Sequence, residues 1–230
     1  MTDFLLKSAY WGVALSLASY FLGDSLYKKY KKAIFNPILI SVVLTTVFLL
    51  LTRTNYSVYK QSASFISWFL TPATICLAIP IYEQIQILKV NKLAIILGIA
   101  SGVLTSFSCI FVLAMLFGLS HVNYVTILPK SITTAIGLVI SEQNGGYPAI
   151  TAVVIILTGI IGNITGPIVL KFLKIKDPVA CGVAMGTSSH AIGTTRAFEM
   201  GQIQGSVSSL SIVVSGILTV LESLLVCNLI

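Results

Sequence analysis

The sequence predicts an all-α integral membrane protein with about seven transmembrane helices, a re-entrant half-helix, and an inverted repeat that contains two broken helices. Three observations carry that expectation. Apolar residues make up 56% of the 230 and charged residues only 9%, with mean hydropathy +0.98. A soluble domain carries about 25% charged residues, so this chain cannot cover a water-exposed surface. The apolar residues fall in continuous runs rather than in the alternating pattern of a membrane β-barrel. Most of the lysines sit at the ends of those runs, as the positive charges that orient membrane helices do.

The runs are Phe4–Leu22, Ala33–Leu51, Phe65–Ile87, Leu93–Leu119, Ser131–Ser141, Tyr147–Leu170, Pro178–Thr195 and Ile203–Ile230. A helical span needs about 20 apolar residues. The fifth run is too short at a rise of about 1.5 Å per residue, so it is expected to enter the membrane without crossing. The third run carries Pro72 and Pro80, and the seventh carries Gly182, Gly186 and Gly193. Proline removes a backbone donor and glycine weakens a helix. Breaks are therefore expected near Pro80 and within Gly186–Ser189.

Nine lysines, Lys28, Lys29, Lys31, Lys32, Lys89, Lys92, Lys171, Lys174 and Lys176, are placed on the cytoplasmic side. One pattern of crossings satisfies them: N-terminus outside, seven spans, C-terminus inside. The net charge of +7 is thereby assigned to topology, and nucleic acid is not expected as a partner. The chain reads as a single membrane domain over 1–230. An N-terminal helix and cytoplasmic loop occupy 4–32, a first repeat 36–119, the re-entrant segment 128–146 and a second repeat 147–230. The two repeats each open on a residue followed by proline and each carry an SG[VI]LT stretch, at Ser101–Thr105 and Ser215–Thr219. The charge-derived topology runs them in opposite directions. Interrupted helices in corresponding places of inverted halves point to a transporter binding site.

Polar residues concentrate in three places. "GTSSHAIGTTRAFEMG", Gly186 to Gly201, puts Thr187, Ser188, Ser189, His190, Thr194 and Arg196 inside an otherwise apolar stretch. Irregular backbone at membrane depth is tolerated only when it is buried in protein or lines a wet cavity. A half-helix starting at Ser189–His190 would aim its positive end at an anion. "AIPIYEQ", Ala78 to Gln84, sets Pro80, Tyr82 and Glu83 opposite it, with Glu83 as a candidate proton carrier or else an interfacial cap. "PKSITT", Pro129 to Thr134, offers Lys130, Ser131, Thr133 and Thr134 as an anion vestibule, with Ser131 capping the short helix. The ordinary alternatives are a buried histidine at 190, an interfacial anchor at Arg196 and an amphipathic surface helix after Lys130.

No catalytic residue, cofactor or metal is expected. Ser188 and Ser189 adjoin His190 without an aspartate in register, and the two histidines lie 69 positions apart. Four cysteines, Cys76, Cys109, Cys181 and Cys227, fall in apolar runs without CxxC spacing and read as small buried hydrophobes.

From "NPILI" through "PIYEQ", "LPKSITT" and "GGYPAITAVVIILTGIIG" to "KDPVACGVAMGTSSHAIGTTRAFEMG" and "GSVSSLS", the chain resembles the LrgB/CidB family of membrane proteins. The block from Gly145 to Ser211 is the specific part. Where that family often has proline after "SVTT", this chain has Ala135, which implies a less kinked short helix. The resemblance implies two functions. One is antiholin-like restraint or export of murein hydrolases, affecting lysis. The other is transport of small monocarboxylates such as glycolate, glycerate or pyruvate, with a small LrgA/CidA-type membrane protein as partner. Together with the residues it leads us to expect passage of a small organic anion, with proton coupling through Glu83. The antiholin-like modulator and a non-transporting membrane scaffold are the alternatives. The expected setting is the bilayer of a bacterial inner membrane, as a homo-oligomer.

Overall fold

In the computed structural model, residues 10–30, 35–69, 72, 75, 76 and 78–230 are described, the side chain of Pro80 excepted. All regular structure among them is helical. The chain divides into two compact units, Met1–Cys76 and Leu77–Ile230.

The first unit holds α1 (Trp11–Tyr30), α2 (Pro37–Leu51), α3 (Tyr56–Ser62) and α4 (Ser64–Trp68). α1 continues past the expected end at Leu22, and the Asp24–Lys28 ion pair (2.7 Å) bridges one turn of the extension. α2 starts cleanly because the Asn36 side chain accepts from the amides of Ile38 (3.0 Å) and Leu39 (3.2 Å) while Pro37 occupies the first turn. Ser16 bonds the Tyr59 hydroxyl at 2.7 Å, and Thr45 donates to Ser19 at 3.4 Å, so small polar groups join the helices inside the unit.

The second unit holds α5 (Ala78–Glu83), α6 (Ile85–Val90), α7 (Lys92–Phe117), α8 (His121–Ile127), α9 (Thr134–Gln143), α10 (Pro148–Phe172), α11 (Pro178–Met200) and α12 (Gln202–Val226), closed by a 3-10 turn at Cys227–Leu229. Among the described residues, three helices are long and apolar enough to cross a membrane: α7, α10 and α12 with its terminal turn. α7 buries one stripe, including Ile95, Ile99, Val103, Phe107 and Ile110, against Tyr124, Val125, Leu128 and Val207. On its other side Leu93, Leu97, Leu104, Leu113 and Leu116 are exposed. α10 and α12 repeat the pattern with Val153, Ile161 and Phe172, and with Ile217, Leu221 and Leu225. Apolar belts of this extent suit hydrocarbon rather than water.

Gly118 ends α7 in the left-handed region (φ 59°), and the Leu119 amide reaches back to the Ala114 carbonyl at 2.9 Å. α9 has 10 residues, about 15 Å, so it is too short to cross. Its N-cap is Thr133, without a side-chain cap bond; Ser131 was expected in that role and is used elsewhere. α8 is tied to both neighbouring ends: the His121 ring nitrogens lie 2.7 Å from the Ile230 carbonyl and 3.2 Å from the Asn144 carbonyl.

The two expected breaks are shifted. The third run is segmented, but Pro80 lies inside α5, and among the described residues that follow it an interruption falls at Gln84. Proline withholds a bond from the carbonyl four residues before it, so the helix on its C-terminal side is free to continue. In α11 the helix runs through Gly186–Ser189 and breaks at His190, with φ 41° and ψ −138°. The glycines counted as breakers serve packing instead: Gly186 sits directly on the Ser208 backbone of α12.

Candidate functional site

The second unit holds an open cleft of about 910 Å³ between α7, α10 and α11. Its α7 wall is Ala94, Gly98, Gly102, Thr105, Ser106 and Cys109, one face at spacings of three and four. α10 contributes Thr158, Gly162, Thr165 and Gly166. α11 contributes the stretch from its N-terminus to Thr187, Ser188 and Ser189, and the link before α9 contributes Lys130 and Ser131. Small residues at Gly98, Gly102, Gly162 and Gly166 let the helices approach while leaving room between them.

The polar end of the cleft is a connected set. Lys130 Nζ donates to Ser131 Oγ at 2.9 Å and to Ser106 Oγ at 3.3 Å, and the two hydroxyls lie 3.1 Å apart. Ser106 is residue 15 of the 26 in α7, so the ammonium is held at the middle of a helix long enough to span. Ser188 Oγ donates to the Ala184 carbonyl at 2.7 Å and lies 3.0 Å from Ser189 Oγ. Thr187 is 7% exposed, and its hydroxyl is buried without a hydrogen bond. Behind them, Ser106, Ser131, Thr187, Ser215 and Thr219 share a second cavity of about 10 Å³, enough for roughly one water.

The break at His190 supports this wall from behind. His190 is 4% exposed, and Nε2 lies 2.9 Å from the Ile155 carbonyl. Thr194 donates to the His190 carbonyl at 3.0 Å and lies 2.7 Å from Ser208 Oγ. Asn163 donates to the Ile192 carbonyl at 2.8 Å. Carbonyls at and beside the interruption thus find side-chain donors, which buried backbone requires.

Of the residues expected from the sequence, Thr187, Ser188, Ser189, Lys130 and Ser131 come together on the cleft. His190 and Thr194 stand one layer back. Arg196 pairs with Glu199 one turn on, and the cleft is lined without it. Thr133 and Thr134 begin α9 and are half-buried. Tyr82 is 76% exposed on α5 beside an exposed Glu83, and neither lines the cleft. The side chain of Pro80 lies outside the described residues. Sequence reasoning passed over Ser106, Thr158 and Thr165. The legible signal was the pair of GxxxG spacings, Gly98–Gly102 and Gly162–Gly166, with hydroxyl residues in register inside long apolar runs. Among the described residues no group of three His, Cys, Asp or Glu side chains could hold a metal ion.

The model of the LrgB-like family matches residues 16–229. The chain is 37% identical over 212 residues to proteins called "Antiholin-like protein LrgB" from Bacillus cereus (strain B4264) and Bacillus anthracis (strain A0248), covering 92% of this chain and 92% of each relative. No solved structure matches it significantly. With a family match over most of its length, relatives matched nearly end to end, and helices fit for a bilayer, the chain belongs to the LrgB-like family of integral membrane proteins.

Proposed function

We propose that the chain is an antiholin-like membrane protein that restrains murein hydrolase activity and cell lysis from a bacterial inner membrane. The observation that carries this is the antiholin-like designation of its relatives, matched over 92% of both chains. The test is deletion of the chain from its host, with murein hydrolase activity read by zymography and lysis by the fall in turbidity. Both should rise on deletion and return to the parental level on complementation.

A specific observation favours a second reading, passage of a small organic anion. A cleft that pairs one lysine with several hydroxyls, between helices otherwise dressed for lipid, supports a route for a small monocarboxylate such as glycolate, glycerate or pyruvate. This reading keeps the seven-crossing inverted topology, with the N-terminus outside and the C-terminus in the cytoplasm. Glu83 is its candidate proton carrier, and Arg196, Tyr82 and Pro80 are peripheral contacts. A second copy of the chain and a small LrgA/CidA-type protein are its partners. Uptake of labelled monocarboxylates into vesicles containing the purified chain, with and without such a partner, tests it. Lysis control that persists in a transport-dead variant separates the two readings.

A further inference from the structure

Among the described residues, no carboxylate forms an ion pair with Lys130. The ion pairs found among the described residues are Asp24–Lys28 and Arg196–Glu199. Lys130 instead donates to two neutral hydroxyls, Ser131 at 2.9 Å and Ser106 at 3.3 Å. It does so beside the midpoint of a 26-residue apolar helix. A charge taken that far from bulk water is costly unless it is paired. Hydroxyl oxygens offset part of that cost and leave the net charge unbalanced. A mobile anion entering the cleft would balance it.

A second group points the same way. The Thr187 hydroxyl is buried and makes no hydrogen bond within the protein, although the residue lines both the cleft and the small cavity behind it. A buried hydroxyl without a partner loses stability. Threonine in a helix divides between two χ1 rotamers, so turning this hydroxyl toward the cleft breaks no existing bond. The charge in the cleft is asymmetric as well. Asp177, which caps α11, lines it too, eleven residues before Ser188 and so roughly 16 Å away along the helix. An anion at Lys130 meets one positive charge and, further along, a negative one.

We propose that Lys130, Ser106, Ser131 and Thr187 form a binding site for a single small monocarboxylate, selective for one negative charge over two. This site rests on the anion-passage reading and deepens it by naming its cation. Two carboxylate oxygens match the ammonium and its flanking hydroxyls. A second carboxylate on the same small molecule would find no second cation among the residues that line the cleft.

The test is calorimetric titration of the purified full chain in nanodiscs with pyruvate, with malonate at a pH where it carries two charges, and with chloride. Pyruvate should bind, and malonate and chloride should bind at least about tenfold more weakly. Lys130→Gln should weaken pyruvate binding about 10- to 100-fold, the worth of a charge-assisted hydrogen bond. Lys130→Arg should retain part of the affinity. Thr187→Val should weaken binding several-fold while its thermal midpoint stays at or above the parent's, a split that a merely structural hydroxyl would not produce. The site is overturned if the parent does not bind pyruvate, if malonate or chloride binds as tightly, or if Lys130→Gln and Thr187→Val both bind like the parent. Absent vesicle uptake alongside this binding pattern would defeat the passage reading and leave the site standing.

Discussion

Gly162 on α10 and Ser189 on α11 are in such close contact that a Cβ on Gly162 would fall on the Ser189 hydroxyl. The absence of one methyl group therefore sets how closely α11 approaches α10. Gly102 on α7 stands in the same relation to Thr187, whose Cγ2 would lie 2.7 Å from an added Cβ. The cleft wall is held from two sides by missing side chains.

Gly162→Ala should accordingly push Ser189 and the adjoining turn of α11 out of place. Overpacking of this kind costs about 1–3 kcal/mol. A lower thermal midpoint in detergent and reduced substrate uptake are expected, with normal amounts in the membrane. Unchanged stability would mean that α11 shifts without resistance.

His190 occupies a backbone region that L-residues avoid, φ 41° with ψ −138°, a strain worth about 1–3 kcal/mol. Glycine reaches it readily. His190→Ala keeps the strain and loses the bond to the Ile155 carbonyl, so it should be the less stable variant. His190→Gly loses the bond and relieves the strain, and should fall nearer the parent. Chemical denaturation of the two variants checks the order, and the reverse order would count against strain at this residue.

Arg196→Lys should leave uptake within about twofold of the parent. Arg196 pairs with Glu199 in the same helix, and pairs with this much exposure contribute about 0–1 kcal/mol. The comparison is with Lys130→Gln in one uptake assay, where a large loss at 196 would return Arg196 to the substrate's path.

Position 174 lies between α10 and α11, next to Lys171 and Lys176. A single cysteine there, in a background lacking the four natural ones, should react with membrane-impermeant maleimide from the cytoplasmic side. Labelling from outside would reverse the proposed topology and with it the inverted repeat.

The long spanning helices were legible because unbroken apolar runs have few other readings, and α7, α10 and α12 fall where such runs lie. The polar stretch on α11 was legible for the complementary reason, since hydroxyls and a histidine are costly among apolar residues unless something uses them. What escaped was the difference between two uses of glycine. Gly186 reads in sequence as a weak point, yet close approach to α12 makes it a packing residue, and the break moves on to His190. For Lys130 the legible part was its place at the head of the short run, not its partners. Its place in the sequence suggests an entrance, but its reach to Ser106 depends on a tertiary contact across 24 residues that no local pattern encodes.

α11 is as long as a membrane span, at 23 residues, yet it is not among the helices apolar enough to cross by themselves. During synthesis such a segment gains little by leaving the translocon alone. Its entry into lipid depends on α10 before it and α12 after it, whose Ser208 and Ser211 already sit on Gly186. The helix that carries much of the cleft is thus one whose place in a bilayer rests on its neighbours, and a chain cut before α12 is expected to leave it at the surface.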